Sequence, residues 1–380
     1  MQSVISHISS LSEYESLIKH YMEIQENTNT SLNYFILQNA TQNNSAFSVI
    51  EKLKYTFQLR LDVKVTPLYN SEEREVLKII LTKVMNTEDK VMNTGEQLSG
   101  TIIFDNNKKN KITLVVSDAP SKFLFHAVND FINHLYPFYK RKFITSSQIE
   151  ELLLSFLQQG YHLTASMVST KRWWEKPDKR YLSSTVQFPR ALPIEDVLEE
   201  LKKTNSFINS ITLNILDESE KRRILKCYIS RSGRIQFKWG NYQLFETSLL
   251  MKLAQPNLFR FRSKDDMFGE IVPIKVNFAP GLELYNEKLV LANFYNAISK
   301  DGNYKLSVYH AGNPYYHIGI TDSKDGSVFD LLFYDFGIGS SKKYEMLIIP
   351  KLNVSLIAID RLLEQVFYRF GEGKIEKWRG

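Results

Sequence analysis

Between residues 305 and 349 the chain alternates short apolar-polar runs with residues that favour hairpin turns, which restricts this region to an antiparallel sheet. Asp325-Gly326 separates two such runs, and an Asp-Gly pair suits a two-residue hairpin because both residues tolerate positive φ. Gly312-Asn313-Pro314 separates the two runs before it. Strands are therefore expected at Lys305–His310, Tyr315–Thr321, Val328–Tyr334 and Tyr344–Ile349. Upstream, Ile271–Phe278 reads as a strand, Pro280-Gly281 as a turn, and residues 284–299 as a helix. Downstream, Leu356, Ile357, Ile359, Leu362, Leu363, Val366, Phe367 and Phe370 recur at three- and four-residue spacing, which predicts a helix over 354–370 with one face built for a sheet. Asn353 or Ser355 can cap its start, and Gly371 can end it.

The order β-α-β-β-β-β-α resembles the TATA-binding-protein-like fold. The resemblance lies in element order alone, and it implies a curved antiparallel sheet with two helices on one face.

The rest of the chain repeats shorter versions of this order. A short amphipathic helix is expected within residues 1–30 (Tyr14, Leu17, Ile18, Tyr21), followed by a strand at Leu32–Gln38. Residues 54–66 alternate Tyr55, Phe57, Leu59, Leu61, Val63 and Val65 with polar positions, the pattern of a half-buried strand. Ser71 followed by Glu72, Glu73 and Glu75 reads as a capped helix start. A hairpin is expected from Thr101–Phe104 and Ile112–Ser117, then a helix carrying Phe123, Phe125, Val128, Phe131, Ile132 and Leu135. In the middle, strands at Leu163–Ser169 and Ser183–Phe188 precede a helix from Ile194 to Lys203. Further strands at Ile208–Leu216, Ile224–Ser230 and Arg234–Trp239 precede a helix from Phe245 to Leu253. The expected class is α+β, with antiparallel sheets and helices on one face. Three diverged units follow from this order, at 1–145, 146–255 and 256–380, an internal repeat of element order.

The N-terminal sixteen residues have no basic segment followed by an apolar core, so no signal peptide is expected. No run approaches the ~18 apolar residues of a membrane span. The single cysteine, Cys227, excludes an internal disulfide and a cysteine zinc cluster, and fits a reducing, intracellular (cytoplasmic) setting. Residues 1–100 carry 9 basic and 12 acidic side chains, whereas residues 101–380 carry 39 and 30. The basic surplus of the later region permits an anionic partner.

That surplus is densest at Lys171-Arg172-Trp173-Trp174-Glu175-Lys176-Pro177-Asp178-Lys179-Arg180-Tyr181, which places five basic and three aromatic residues in eleven positions. Cations for phosphates and flat rings for bases are what nucleic-acid contact needs. Lys140-Arg141-Lys142, Lys221-Arg222-Arg223, and Arg260, Arg262 and Lys264 form smaller basic groups. Other constellations point to chemistry less directly. Asp62 and Lys64 have the Asp-x-Lys spacing of metal-dependent nucleases; the further acid on a neighbouring strand is not identified, Glu51 being no more than a candidate. Asp322, Asp325, Asp330 and Asp335 could gather around a divalent ion. His310 and His317 flank one turn, and Gly337-Ile338-Gly339-Ser340-Ser341-Lys342-Lys343 lacks the spacing of a phosphate-binding loop.

The sequence thus reads as a non-enzymatic nucleic-acid-binding protein, a subunit of a larger assembly, without cofactor or metal. The expected contacts are Lys171, Arg172, Trp173, Trp174, Lys176, Lys179, Arg180 and Tyr181, joined by Lys140, Arg141 and Lys142. Two alternatives stay open: a protein-interaction scaffold, and a metal-dependent nuclease.

Overall fold

A computed structural model of the chain describes residues 4–22, 31–39, 45–57, 61–85, 96–108, 112–172, 183–204, 206–217, 222–255, 273–278, 298, 302–312, 315–336, 343–370 and 372–378. The chain divides into two compact units. The first comprises Met1–Ser169, Thr185–Glu200 and Ile208–Gln255; the second comprises Thr170–Ser184, Leu201–Phe207 and Pro256–Gly380. The class is α+β with two antiparallel sheets. Among the described residues no helix is long and apolar enough to cross a membrane.

The first sheet uses β1 (Leu32–Asn39), β2 (Asp62–Asn70), β3 (Arg74–Met85), β4 (Glu96–Asn107), β5 (Ile112–Ser117) and β6 (Tyr139–Arg141). It continues with β7 (His162–Arg172), β8 (Ser183–Pro193), β9 (Ser206–Leu216), β10 (Arg223–Ser230) and β11 (Arg234–Gly240). Their order is β2-β3-β4-β5-β1-β11-β10-β9-β7-β8, with β6 also on β1. β1 is bonded to β5 on one side and to β11 on the other, so residues before and after position 145 build one sheet. The helices of this region are α1 (Leu11–Met22), α2 (Ala46–Phe57), α3 (residues 121–134), α4 (Ser146–Gln158), α5 (Ile194–Lys203) and α6 (residues 242–254).

Alternation along β1 puts helices on both faces of this sheet, rather than on one as expected. Phe35 and Leu37 join a core with Ala46, Val49 and Ile50 of α2 and with Phe123, Val128 and Phe131 of α3. Tyr34, on the opposite face, meets Phe245 of α6 at 5.5 Å between ring centroids and shares a 2.6 Å hydroxyl contact with Tyr242.

Two expected elements are corrected here. Residues 54–66 are not one strand: α2 runs through Phe57, and β2 begins at Asp62. Ala46, Val49, Ile50 and Leu53 supply a helical stripe that the downstream alternation masks. Glu75 also fixes the start of α2, accepting from the Ala46 and Phe47 N–H groups at 2.7 and 2.9 Å and from Ser45 Oγ at 2.6 Å. The expected helix after Ser71 is instead β3, since Ser71 N–H donates to the Arg74 carbonyl at 2.8 Å and closes a β2–β3 hairpin. Two further elements went unread in the sequence, β6 and α4; α4 opens on a capping box between Thr145 and Gln148.

The second sheet contains β12 (Ile274–Phe278), β13 (Tyr304–Ala311), β14 (Tyr315–Asp322), β15 (Val328–Phe336), β16 (Lys343–Leu352) and β17 (Gly373–Lys377). Its order is β13-β14-β15-β16-β12-β17. Helix α7 (Leu356–Phe370) follows β16, with Leu362 and Phe367 fully buried. The four expected strands are present and each is longer by at least one residue; β17 is an addition. The β14–β15 turn falls at Asp325-Gly326, with Gly326 at a φ of +76°, but it is longer than a two-residue loop: Asp322 N–H donates to the Ser327 carbonyl at 2.8 Å. The helix expected over 284–299 lies outside the described residues except for Ile298, which is helical and buried.

Candidate nucleic-acid interface

The face of the first sheet that holds the α2–α3 core turns polar beyond β1. Directly opposed residues of antiparallel strands share a face. Lys226 opposes Asn214, and Tyr228 opposes both Thr212 and Gln236. Arg234 and Lys238 alternate with Gln236 along β11 and add two more cations, Lys238 sitting where the β10–β11 register shifts. The other side of the same strands is apolar, with Leu225, Cys227, Ile229, Ile235 and Phe237 all fully buried. Burial alternates along β10 and β11 and so separates a core face from a cationic one, with a register shift that sets Lys226 opposite the buried Trp239.

These cations sit close together in a poorly solvated place. Burial lowers the Lys238 pKa below its ordinary value, and the neighbouring charges of Lys226 and Arg234 lower it further. Burial likewise lowers that of Arg234. Arg234 donates from Nε and Nη2 to Asn33 Oδ1 at 3.1 and 2.9 Å, and its guanidinium lies 5.9 Å from the Tyr228 ring centroid. Its partner there is a neutral amide. No carboxylate among the described residues forms an ion pair with Lys226, Arg234 or Lys238. Beside them on β9, Thr212 and Asn214 are 3% and 2% exposed. Asn214 Nδ2 donates to Thr164 Oγ1 at 3.3 Å, whereas Asn214 Oδ1 and Thr212 Oγ1 are buried without a hydrogen-bond partner among the described residues.

The basic residues singled out in the sequence fall in different places. Lys171 and Arg172 end β7, and Trp173, Trp174, Lys176, Lys179, Arg180 and Tyr181 lie outside the described residues. Lys140 and Arg141 belong to β6. Arg141 stacks on Phe35 at 4.8 Å, and Phe35 is the register partner of Arg234, so Arg141 borders the cationic face. Lys142 does not reach the surface. It is 1% exposed, and its ammonium donates to the Leu253 carbonyl at 2.6 Å and also to the Gln255 carbonyl, holding the C-terminal end of α6. Arg222 and Arg223 are exposed, whereas Lys221, Arg260, Arg262, Lys264 and residues 337–342 lie outside the described residues.

The acidic and histidine constellations are held by other partners. Asp62 and Lys64 are exposed on β2, and Glu51 lies on α2, 3.3 Å from Lys54, rather than on a neighbouring strand. Asp322 is buried against Arg361, while Asp325 accepts from Ser327 N–H and Ser355 Oγ at 2.9 and 2.7 Å. Asp330 lies on the opposite face of the sheet, 3.1 Å from His317 Nε2 and 3.0 Å from Lys351 Nζ. The His317 contact meets the ion-pair distance without hydrogen-bond alignment. Asp335 lies on β15. His310 and His317 are register partners, each against a tyrosine ring at 4.9 Å. Among the described residues no three His, Cys, Asp or Glu side chains converge as metal ligands.

No family model matches the chain, and no curated protein matches its sequence.

Proposed function

We propose that this chain binds nucleic acid without chemically altering it, as a subunit of a larger assembly in a reducing, intracellular compartment. The observation that carries this reading is the cluster of Lys226, Arg234 and Lys238 around Tyr228, half-buried and without an acidic partner among the described residues. Like charges gathered where water is scarce repel one another, and a polyanion relieves that repulsion while exchanging counterions for fixed cations. Arg141 extends the positive strip, and Lys140 lies beside it in sequence. The segment containing Lys171, Arg172, Trp173, Trp174, Lys176, Lys179, Arg180 and Tyr181 supplies a second set of contacts by composition. A protein-scaffold reading has its own support in the edge strand β13, where Val308 is 44% and Tyr309 64% exposed.

The two readings separate in a salt titration of labelled single-stranded and duplex oligonucleotides, with chelator or with Mg²⁺ or Mn²⁺. Four phosphate contacts would weaken binding by about 50- to 150-fold between roughly 50 and 200 mM salt, with the oligonucleotide intact throughout. Absent or salt-independent binding favours the scaffold, and metal-dependent cleavage would identify a nuclease.

A further inference from the structure

We infer that β13 pairs with β13 of a second copy of this chain, antiparallel about Leu306, so that the second sheet continues across a two-fold axis. Each sheet ends in two edge strands, and three of these four edges carry devices that discourage strand addition. β2 has exposed Asp62 and Lys64 together with Pro67, β8 contains Pro189, and β17 has Lys374 and Glu376. β13 has no proline and a single lysine, Lys305, and its residues from Ser307 to Ala311 are exposed. Its bulge falls after Val308 and leaves Tyr304–Val308 in regular register with β14.

The register of the pair follows from which backbone groups point outward. Asp322 N–H donates to the Ser327 carbonyl, toward β15, and Ser323 N–H donates to the Asn303 carbonyl, toward β13, each at 2.8 Å. Alternation from these two bonds turns the N–H and C=O groups of Tyr304, Leu306 and Val308 away from β14, to the side where no strand lies among the described residues. In an antiparallel pair centred on Leu306, Leu306 faces its own copy, Tyr304 faces Val308, and Lys305 faces Ser307. The apolar positions then meet on the face that carries α7, where Tyr304 already holds Arg361. On the other face each lysine opposes a serine. Centring on Lys305 would oppose two lysines, and centring on Ser307 would run the pair into the bulge at Tyr309.

A pairing this short makes a weak dimer, so sedimentation velocity of the full chain without nucleic acid, over about 1–300 μM, should show monomer passing to dimer as concentration rises. Ser307 is exposed, and substituting it tests the register without touching the core. Ser307→Lys sets a new cation opposite each Lys305 and should weaken dimerisation by about 3- to 10-fold, whereas Ser307→Glu sets a carboxylate there and should strengthen it by a similar factor. Lys305→Glu combined with Ser307→Lys should bring the dimer back to at least the parent's strength. A parent chain that stays monomeric throughout would overturn the pairing with no variant needed. A dimer of equal strength in the two Ser307 variants would overturn it as well, by placing the contact on another surface.

Discussion

Asp322→Ala is expected to destabilise the second unit by about 3–5 kcal/mol, because it removes the carboxylate paired with a buried guanidinium. Asp322 is fully buried, and its Oδ1 accepts from Arg361 Nη2 at 2.5 Å and from the Lys324 N–H at 2.8 Å. Arg361 Nε donates to Tyr304 Oη at 3.1 Å, and its guanidinium lies 4.9 Å from that ring, so α7 is tied to β13 and β14 through one side chain. Burial raises the Asp322 pKa above its ordinary value despite the arginine beside it. The pair is therefore a poor net stabiliser that is costly to break, as desolvated ion pairs commonly are. Asp322→Leu combined with Arg361→Met should cost far less than Asp322→Ala alone. Urea unfolding read by hydrogen exchange in β13–β17 measures both. A double variant as unstable as the single would show that the charges are not coupled.

Replacing Lys226 and Lys238 together by glutamine should weaken oligonucleotide binding by roughly 30- to 100-fold, two charged contacts at ~1 kcal/mol or more each. The salt slope should fall by about 1.4–1.8, since each neutralised phosphate contributes ~0.7–0.9. Stability should stay level or rise. Lys226 and Arg234 both press on Lys238, and removing mutual repulsion from a half-buried site relieves the fold. Losing function while keeping or gaining stability distinguishes a binding site from a structural charge cluster. Arg234 makes a less clean target because it also holds Asn33. A variant that loses stability and affinity in parallel would assign these lysines to the fold instead.

The parts of the fold legible in the sequence are those determined by near neighbours. The Asp325-Gly326 turn and the apolar stripe of α7 need only a few adjacent residues to declare themselves, and both are found. The first unit depends more on distant partners. Glu75 reads as a first-turn acid and does cap a helix, but the helix is α2, nearly thirty positions earlier. Lys142 looks like part of a surface triplet because its partners, the carbonyls of Leu253 and Gln255, lie more than a hundred residues away. The cationic face was hidden for the same reason. Alternation along β10 and β11 marks Lys226, Tyr228, Arg234 and Lys238 as non-core positions, yet nothing local brings them together on one face. Only the pairing register does that. The segment 171–181 is conspicuous because its charges and rings are contiguous in the chain.

Pulsed acetylation of the full chain, with and without a bound single strand, tests the central claim at the residues themselves. Lys226 and Lys238 are partly exposed and should be labelled in the free protein. Mass spectrometry should then find Lys226 and Lys238 protected by the oligonucleotide, with exposed Lys64 and Lys305 unchanged. Full labelling of Lys226 and Lys238 in the presence of bound oligonucleotide, with protection appearing at other lysines instead, would contradict the assignment of this face.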